Sequence, residues 1–180
     1  MIIVIEGILS PSQALETFFR TRFKASYLKW IFNDNFTDDI QSDILTARFN
    51  DEIKHSLAYE MEQNSSFVVL EHNYLHTLAS SFVCSKAEAK RTWRWFSKSR
   101  HQLRIPNAYI YFNVDLNYNN PNLRDIDKAN RLQQFYTFAF SKIDPNVPIL
   151  NVIGENYFDN NFEEIDFFVR NILLKQQNRE

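Results

Sequence analysis

The residues best placed to handle a phosphate group lie in the turn after the first apolar run, Met1–Ile5. In a phosphate-binding loop, the spacing G-x-x-x-x-G-K-[ST] lets backbone N–H groups surround phosphate oxygens, a lysine reach them and a hydroxyl hold Mg²⁺. Gly7 occupies the first position of this spacing. The other defined positions hold Ser12 for the second glycine, Gln13 for the lysine and Ala14 for the hydroxyl residue. The turn therefore keeps the place of a phosphate site without its chemistry.

Histidines provide the other candidate chemistry. His72 and His76 are four positions apart, a spacing that would place both side chains on one face of a helix, as zinc ligation requires, if the helix begins as early as His72. No cysteine or further histidine follows at a useful spacing, since His101 is far along the chain, and the sequence therefore predicts no metal site. Ser10 and Ser12 do not indicate a serine nucleophile, because the chain contains no G-x-S-x-G.

The elements that would position these residues alternate between strands and helices. The apolar run 67–70 is suited to a central strand buried on both faces. The alternation predicts a three-layer α/β fold with a mainly parallel five-stranded sheet flanked by helices, in a single domain over residues 1–180. Predicted strands cover 1–5, 25–32, 67–70, 108–114 and 147–153, and predicted helices cover 11–23, 38–63, 74–83, 86–103, 124–143 and 162–176.

In such a sheet, ligands bind at the carboxyl ends of the strands. We therefore expect residues 7–14, 71–74 and 115–120 to lie along one edge of the molecule. The long second helix is predicted from apolar residues at helical spacing. These are Ile40, Ile44, Leu45, Phe49, Ile53, Leu57 and Met61.

Composition bounds the class of protein. A chain of 180 residues with 44% hydrophobic and 23% charged residues is typical of one globular domain. A formal charge of −2 is no electrostatic footprint for nucleic acid, and no apolar stretch is long enough to span a membrane. The single cysteine, Cys84, excludes an internal disulfide and favours a reducing compartment. We therefore expect a cytoplasmic protein with neither a nucleic-acid partner nor a membrane partner.

The order of segments resembles the thymidylate kinase and deoxynucleoside kinase group of P-loop proteins over most of the chain. Met1–Gly7 is similar to that family's first strand, and Ile44–Arg48 to a helix with small residues followed by an arginine. Phe67–Ala79 is similar to a strand that ends in Asp-Arg-Tyr and is followed by Ser and Ala. Arg131–Tyr136 resembles the helix after the family's lid loop, and the resemblance thus implies a lid-like loop at residues 116–123.

The resemblance implies a nucleotide site. Its candidate residues are Gly7, Ser10, Ser12, Gln13, Arg48, Glu71, His72 and Tyr74. Arg48 is similar to the arginine of the family's monophosphate pocket, but the residues alone also allow an exposed helix charge. Tyr74 could line the same pocket or simply pack in the core, and the sequence does not distinguish these two roles. Glu71 has two possible roles. Its carboxylate could be linked to a metal ion, as the resemblance to the family implies, or it could cap a helix or accept a hydrogen bond within the protein.

The residues that would stabilise a transferred phosphoryl group are missing at several of these positions. Gln13 carries no charge, and Ala14 has no hydroxyl for Mg²⁺. His72 stands where the family has arginine and is mostly neutral at pH 7. The segment 116–123 contains no arginine, although the family's lid supplies one. Because electrostatic stabilisation is nearly the whole of catalysis in this chemistry, the family's mechanism is not expected to operate.

Three hypotheses follow. The leading one is a degenerate, non-catalytic member of this kinase-like class that binds a nucleotide-like small molecule or a protein partner, including a second copy as a homodimer, with no certain cofactor. The alternative is an active nucleoside or nucleotide kinase of the dTMP type. It would use ATP and Mg²⁺ with replacement cations such as Arg91, Arg94 or Arg124. The third is a protein-binding subunit whose cleft is filled by Ile8, Leu9 or Pro11.

Overall fold

Strands and helices alternate along the chain, as the sequence predicts. The computed structural model of the protein describes residues 1–7, 13–29, 40–64, 67–113, 126–153 and 161–177, with the backbone alone for 40–43. The strands in these ranges are β1 (Ile2–Gly7), β2 (Ser26–Leu28), β3 (Val68–Glu71), β4 (Ala108–Asn113) and β5 (Ile149–Ile153). The helices are α1 (Gln13–Phe23), α2 (Ile40–Gln63), α3 (Tyr74–Cys84), α4 (Lys86–Ser99), α5 (Ile126–Lys142) and α6 (Phe162–Gln177).

Strand β1 lies in the middle of the sheet. Within the described residues the strand order is β2-β3-β1-β4-β5, and every neighbouring pair is parallel. The register places Ile5 beside Glu71 of β3 and Gly7 beside Phe112 of β4. The predicted α/β class with a parallel five-stranded sheet is therefore confirmed, and the carboxyl ends of β1, β3 and β4 meet at one edge.

Both faces of the sheet are covered by helices, which explains the continuous apolar runs in the central strands. On one face, Ile2 and Val4 of β1 pack with apolar residues of α2, α3, α4 and α5. On the other face, Ile3 and Ile5 pack with residues of α1 and α6. Alternate residues of a strand point to opposite faces, so one five-residue run supplies both cores and sets three layers.

Helix α2 buries a different face from the one that its apolar pattern indicates. Apolar residues at helical spacing usually mark the buried face, but Leu45 is 64% exposed and Phe49 is 62% exposed. Of the stripe, Ile44 is buried. The face turned towards the core carries several polar side chains, among them Asp51 and Lys54. The residues of that face are Ala47, Asp51, Lys54, His55 and Ala58.

Two predicted features lie outside the described residues. These are the interior of the turn, residues 8–12, and the lid-like loop, residues 116–123. The helix predicted from residue 11 is described from Gln13 onwards. The strand predicted over residues 25–32 is described as Ser26–Leu28. In the part of the chain that the structure describes, no helix is both long and apolar enough to cross a membrane.

Candidate functional site

The candidate site lies at the carboxyl ends of β1 and β3. The backbone N–H of His72 donates to the carbonyl of Ile5 at 2.8 Å, which extends the β1–β3 pairing by one residue. His72 then takes a left-handed backbone conformation, with φ of 55°. Asn73 caps α3, because its side-chain oxygen accepts from the N–H of Leu75 at 2.8 Å. This tight turn brings the start of α3 directly over the end of β1.

Glu6 is the centre of a buried polar cluster at this edge. Its side chain is wholly buried, and its Oε1 atom accepts from the backbone N–H of Asn73 at 2.9 Å. Its Oε2 atom accepts from the hydroxyl of Tyr136 at 2.9 Å and lies 3.1 Å from Nδ1 of His72. Both carboxyl oxygens are thus hydrogen-bonded, as a buried carboxyl group requires.

Burial controls the ionisation of this cluster. It raises the pKa of Glu6 from 4.5 to about 7, although His76, the Asn73 N–H and the Tyr136 hydroxyl act in the opposite direction. Burial also lowers the pKa of His76 well below 6.5, and the neighbouring His72 lowers it further. At pH 7 the His76 ring is therefore neutral.

The hydroxyl of Tyr136 connects Glu6 to His76. It lies 2.9 Å from Oε2 of Glu6 and 2.9 Å from Nδ1 of His76. Because a hydroxyl has one proton and donates it here to the carboxyl group, it accepts from Nδ1–H of His76. This assigns the proton of the neutral imidazole to Nδ1. The ring centroids of His72 and His76 are 4.0 Å apart, so the two imidazoles are in contact.

A buried lysine of α2 also stabilises the turn between β3 and α3 by hydrogen bonds. Nζ of Lys54 donates to the carbonyl of Glu71, and to the carbonyl of His72 at 2.9 Å. Asp51, one turn earlier on α2, accepts from the Thr77 hydroxyl at 2.6 Å. Burial raises the pKa of Asp51 and lowers the pKa of Lys54, and the attraction between the two charges opposes both shifts.

The structure brings three of the predicted residues to this edge. They are Gly7, Glu71 and His72, and all three are buried. Gln13 is exposed at the first turn of α1. Ser10 and Ser12 fall outside the described ranges.

Two further predicted residues have protein partners elsewhere. Arg48 donates to the Thr92 hydroxyl at 2.6 Å and lies 3.6 Å from a carboxylate oxygen of Glu88, so it links α2 to α4. Tyr74 is fully buried, and its hydroxyl donates to Asp144 at 2.7 Å. Both contacts are those of structural residues. Their part in a nucleotide pocket stays a prediction.

Sequence reasoning missed three residues of the cluster. Glu6 has a recognisable signal, a carboxylate inside an apolar run that is predicted to be buried. Lys54 and Tyr136 have none, because each lies in an ordinary helical pattern. Their burial results from the placement of α2 and α5 on the sheet.

The cluster also contains a set of metal-ligating side chains. Glu6, His72 and His76 each offer a ligand atom, and these atoms lie within 4.8 Å of one another. The first two are buried and the third is half-buried. An imidazole pair with one carboxylate is a common donor set for divalent transition metals.

The fold is similar to that of solved nucleotide kinases. Deoxyadenosine kinase from M. mycoides with bound dATP matches with a TM-score of 0.67 and 11% sequence identity, over 94% of this chain and 100% of that chain. Thymidylate kinase from Ehrlichia chaffeensis matches with a TM-score of 0.59 and 11% sequence identity, over 96% of this chain and 98% of that chain. Thymidylate kinase from Candida albicans matches with a TM-score of 0.56 and 15% sequence identity, over 99% of this chain and 93% of that chain.

No protein-family profile matches the sequence, and no curated protein does. At these identities the structural likeness establishes the fold alone. The predicted resemblance to the thymidylate and deoxynucleoside kinase-like P-loop fold is confirmed at that level.

Proposed function

We propose that this protein is a kinase-like nucleotide-binding protein that does not transfer phosphoryl groups. The observation that carries the proposal concerns the described residues at the carboxyl edge of the sheet: Lys54 and Glu6 are hydrogen-bonded there to the backbone or to a protein side chain. Nζ of Lys54 donates to the backbone carbonyls of Glu71 and His72, and the Glu6 carboxyl group is hydrogen-bonded to the His72 ring. Phosphoryl transfer instead needs cations directed at the phosphate oxygens.

His72 illustrates the loss. The related kinases, as the resemblance implies, have a permanently charged arginine at this position. Here the side chain is 2% exposed and its Nδ1 atom is paired with Glu6. Losing one donor to a transition state costs roughly a hundredfold to a thousandfold in rate in comparable sites. The uncharged Gln13 and Ala14 add to that loss.

The binding half of the proposal is supported by the parallel sheet. In open α/β sheets, ligands occupy the crevice beyond the strand ends where the connections diverge. Here β3 and β4 flank β1 on opposite sides, which makes the end of β1 such a point. The kinase fold places the same point beside α1. A nucleotide-like small molecule is the ligand class that we propose for it.

The test combines calorimetry with an ADP-release assay on the full chain. We expect saturable binding of dTMP or dATP, and no Mg²⁺-dependent ADP release from ATP with dTMP, deoxyadenosine or deoxycytidine as acceptor. If neither dTMP nor dATP binds saturably, the proposal that the protein binds nucleotides is overturned. Mg²⁺-dependent turnover above the no-enzyme rate would overturn the other half and favour the active kinase with replacement cations.

A restoration variant sharpens the test. Gln13→Lys combined with Ala14→Ser returns the lysine and hydroxyl to an exposed turn, so folding should be unaffected. If the turn is a phosphate site, this variant binds ATP with Mg²⁺ at least tenfold more tightly than the parent. Thr17→Lys is the matched control, because it adds the same charge one turn further along the exposed side of α1. Equal gains in both variants would indicate charge attraction without a site.

The predicted homodimer is tested separately. Light scattering on the purified chain measures the mass in solution, and a mass twice the 21.5 kDa of the chain supports the dimer. A concentration-independent mass of one chain would contradict it. Nucleotide binding and self-association can therefore succeed or fail independently.

A further inference from the structure

We propose that Glu6, His72 and His76 form a binding site for one divalent transition-metal ion, with Zn²⁺ as the ion to be tested. The site is distinct from the Mg²⁺ that kinase chemistry would use, and it does not depend on nucleotide binding. The spacing of the two histidines alone offers too few ligands. The fold supplies the third one, Glu6, from a strand 66 positions earlier in the chain than His72.

The separations of the donor atoms suit such an ion. Zinc is bound by imidazole nitrogen and carboxylate oxygen at about 2.0–2.2 Å, so two ligands of a tetrahedral ion stand about 3.4 Å apart. Nδ1 of His72 and Oε2 of Glu6 are already 3.1 Å apart. The whole set lies within 4.8 Å, so a decrease of at most about 1.4 Å in any separation brings the third ligand to the tetrahedral value.

The surrounding hydrogen bonds orient the ligands. Oε1 of Glu6 is held by the Asn73 N–H, which leaves Oε2 as the oxygen that faces His72. The hydroxyl of Tyr136 is 2.9 Å from both Glu6 and Nδ1 of His76. Partners of this kind fix the ring orientation of metal-bound histidines and typically contribute tenfold to a hundredfold in affinity.

The backbone brings the two histidines together through an unfavourable conformation at His72. His72 adopts a φ of 55°, a conformation that is uncommon for residues other than glycine. It lies just before α3, and His76 lies in the first turn of that helix. As a result the ring centroids are only 4.0 Å apart. Local strain of this type concentrates at binding sites, where the surrounding structure maintains it.

The donor set predicts which ions bind. Two imidazoles and one carboxylate favour Zn²⁺, Co²⁺, Ni²⁺ or Cu²⁺, whereas Mg²⁺ takes oxygen ligands and keeps its waters. We therefore expect millimolar Mg²⁺ not to compete with Zn²⁺. Competition by Mg²⁺ at equal concentration would indicate an ordinary carboxylate contact and would contradict the proposal.

The experiment uses the metal-free full chain. Co²⁺ titration followed by visible absorption reports coordination geometry, and calorimetry with Zn²⁺ reports stoichiometry and affinity. The expected result is one Zn²⁺ per chain, with His76→Gln weakening the affinity at least a hundredfold. His101→Gln is the matched control, because His101 is exposed and lies outside the cluster. It should bind Zn²⁺ like the parent.

Two outcomes would overturn the proposal. One is the absence of both Co²⁺ absorption bands and saturable Zn²⁺ binding. The other is equal Zn²⁺ affinity in the parent and in His76→Gln. Since Glu6 is fully buried, Glu6→Gln is measured only after circular dichroism shows that it folds, and the half-buried His76 variant decides the matter if it does not. None of these measurements contains a nucleotide, so this proposal and the proposed function fail separately.

Discussion

Nδ1 of His72 lies 3.1 Å from Oε2 of Glu6, and both side chains are shielded from solvent. The contact exists because Ile5 and Glu71 are register partners in adjacent strands, which places the next residue of each strand at the same edge. Burying a carboxyl group is unfavourable unless it is hydrogen-bonded, so the partners of Glu6 are part of what stabilises the turn. The His72 side chain is thus part of the protein interior.

Asp144 should be among the costliest polar residues to remove. Its Oδ2 atom accepts from the hydroxyls of Tyr74 and Tyr109, each at 2.7 Å, and its Oδ1 atom accepts from Arg100 at 2.6 Å. Asp144→Ala leaves the two buried hydroxyls and the partly exposed guanidinium without this acceptor. We expect a loss of about 3 kcal/mol in the free energy of unfolding, measured by urea denaturation.

A surface ion pair provides the comparison for this variant. Arg104, which is 46% exposed on its side chain, pairs with Glu62 at 2.8 Å. Arg104→Ala should cost less than about 1 kcal/mol, because water screens the pair. Similar losses for Asp144→Ala and Arg104→Ala would contradict the view that the first network is structural.

Protonation of His55 should destabilise the protein at acidic pH. Burial, together with the nearby charges of Lys54 and Arg100, lowers the pKa of His55 from 6.5 to about 3. Its Nδ1 atom accepts from the backbone N–H of Arg104 at 3.0 Å, and a proton on that nitrogen would break the bond. Between pH 6.5 and 3 the unfolded chain therefore binds this proton and the folded chain does not.

Because the unfolded state binds more protons in that window, stability falls as the pH falls. The contribution of His55 is about 1.4 kcal/mol for each pH unit below 6.5. His55→Gln removes it, so the difference in unfolding free energy between parent and variant should shrink with acidification. The exposed His101→Gln should leave the slope unchanged. A parallel pH dependence of the parent and His55→Gln would exclude this assignment.

The exposure of the apolar stripe of α2 can be tested by comparing a phenylalanine of that stripe with a buried phenylalanine of α1. Phe49 is 62% exposed, so Phe49→Ala should change stability by no more than about 0.5 kcal/mol. Phe19 of α1 is fully buried, and Phe19→Ala should cost about 3–5 kcal/mol. Thermal and chemical denaturation measure both. A loss for Phe49→Ala close to that for Phe19→Ala would mean that the apolar stripe is buried.

Thr77 should matter through its hydroxyl group. This hydroxyl donates to Oδ2 of Asp51 at 2.6 Å, and Oδ1 of the same carboxyl group is buried without a partner among the described residues. Thr77→Val keeps the shape and removes the donor, so we expect a loss of about 1–3 kcal/mol. Thr77→Ser retains the hydroxyl and should recover part of this loss. If Thr77→Val is as stable as the parent and Thr77→Ser is destabilised, the methyl group and not the hydrogen bond is responsible.

Much of the fold is predictable from local patterns. The apolar runs at the start of the chain and around Val68–Leu70 predict buried parallel strands, and the structure has them as β1 and β3. The helical period of the second long segment likewise predicts α2. Which face of α2 is buried is not predictable in this way, because Ala47 and Ala58 contact the core while larger apolar residues lie outside.

The candidate site was predicted only in its location. Gly7, Glu71 and His72 lie at the expected edge, since parallel strands bring their carboxyl ends together. Arg48 and Tyr74 have partners on other elements, and those partners depend on how helices settle on the sheet. No periodicity within a segment carries that information.

The amino-acid sequence by itself determined an α/β fold, the edge at which its strands end, and a turn with Gln13 and Ala14 where a phosphate-binding loop has a lysine and a hydroxyl residue. These depend on residue type and on spacing within single segments. Only the tertiary structure decided which side chains meet at that edge. Glu6 meets His72 across 66 positions and Tyr136 across 130, because strand register and the placement of α5 bring them together. Contacts over such distances are set by the packing of whole elements, and at the carboxyl ends of the strands they assemble a cluster of two imidazoles and a carboxyl group.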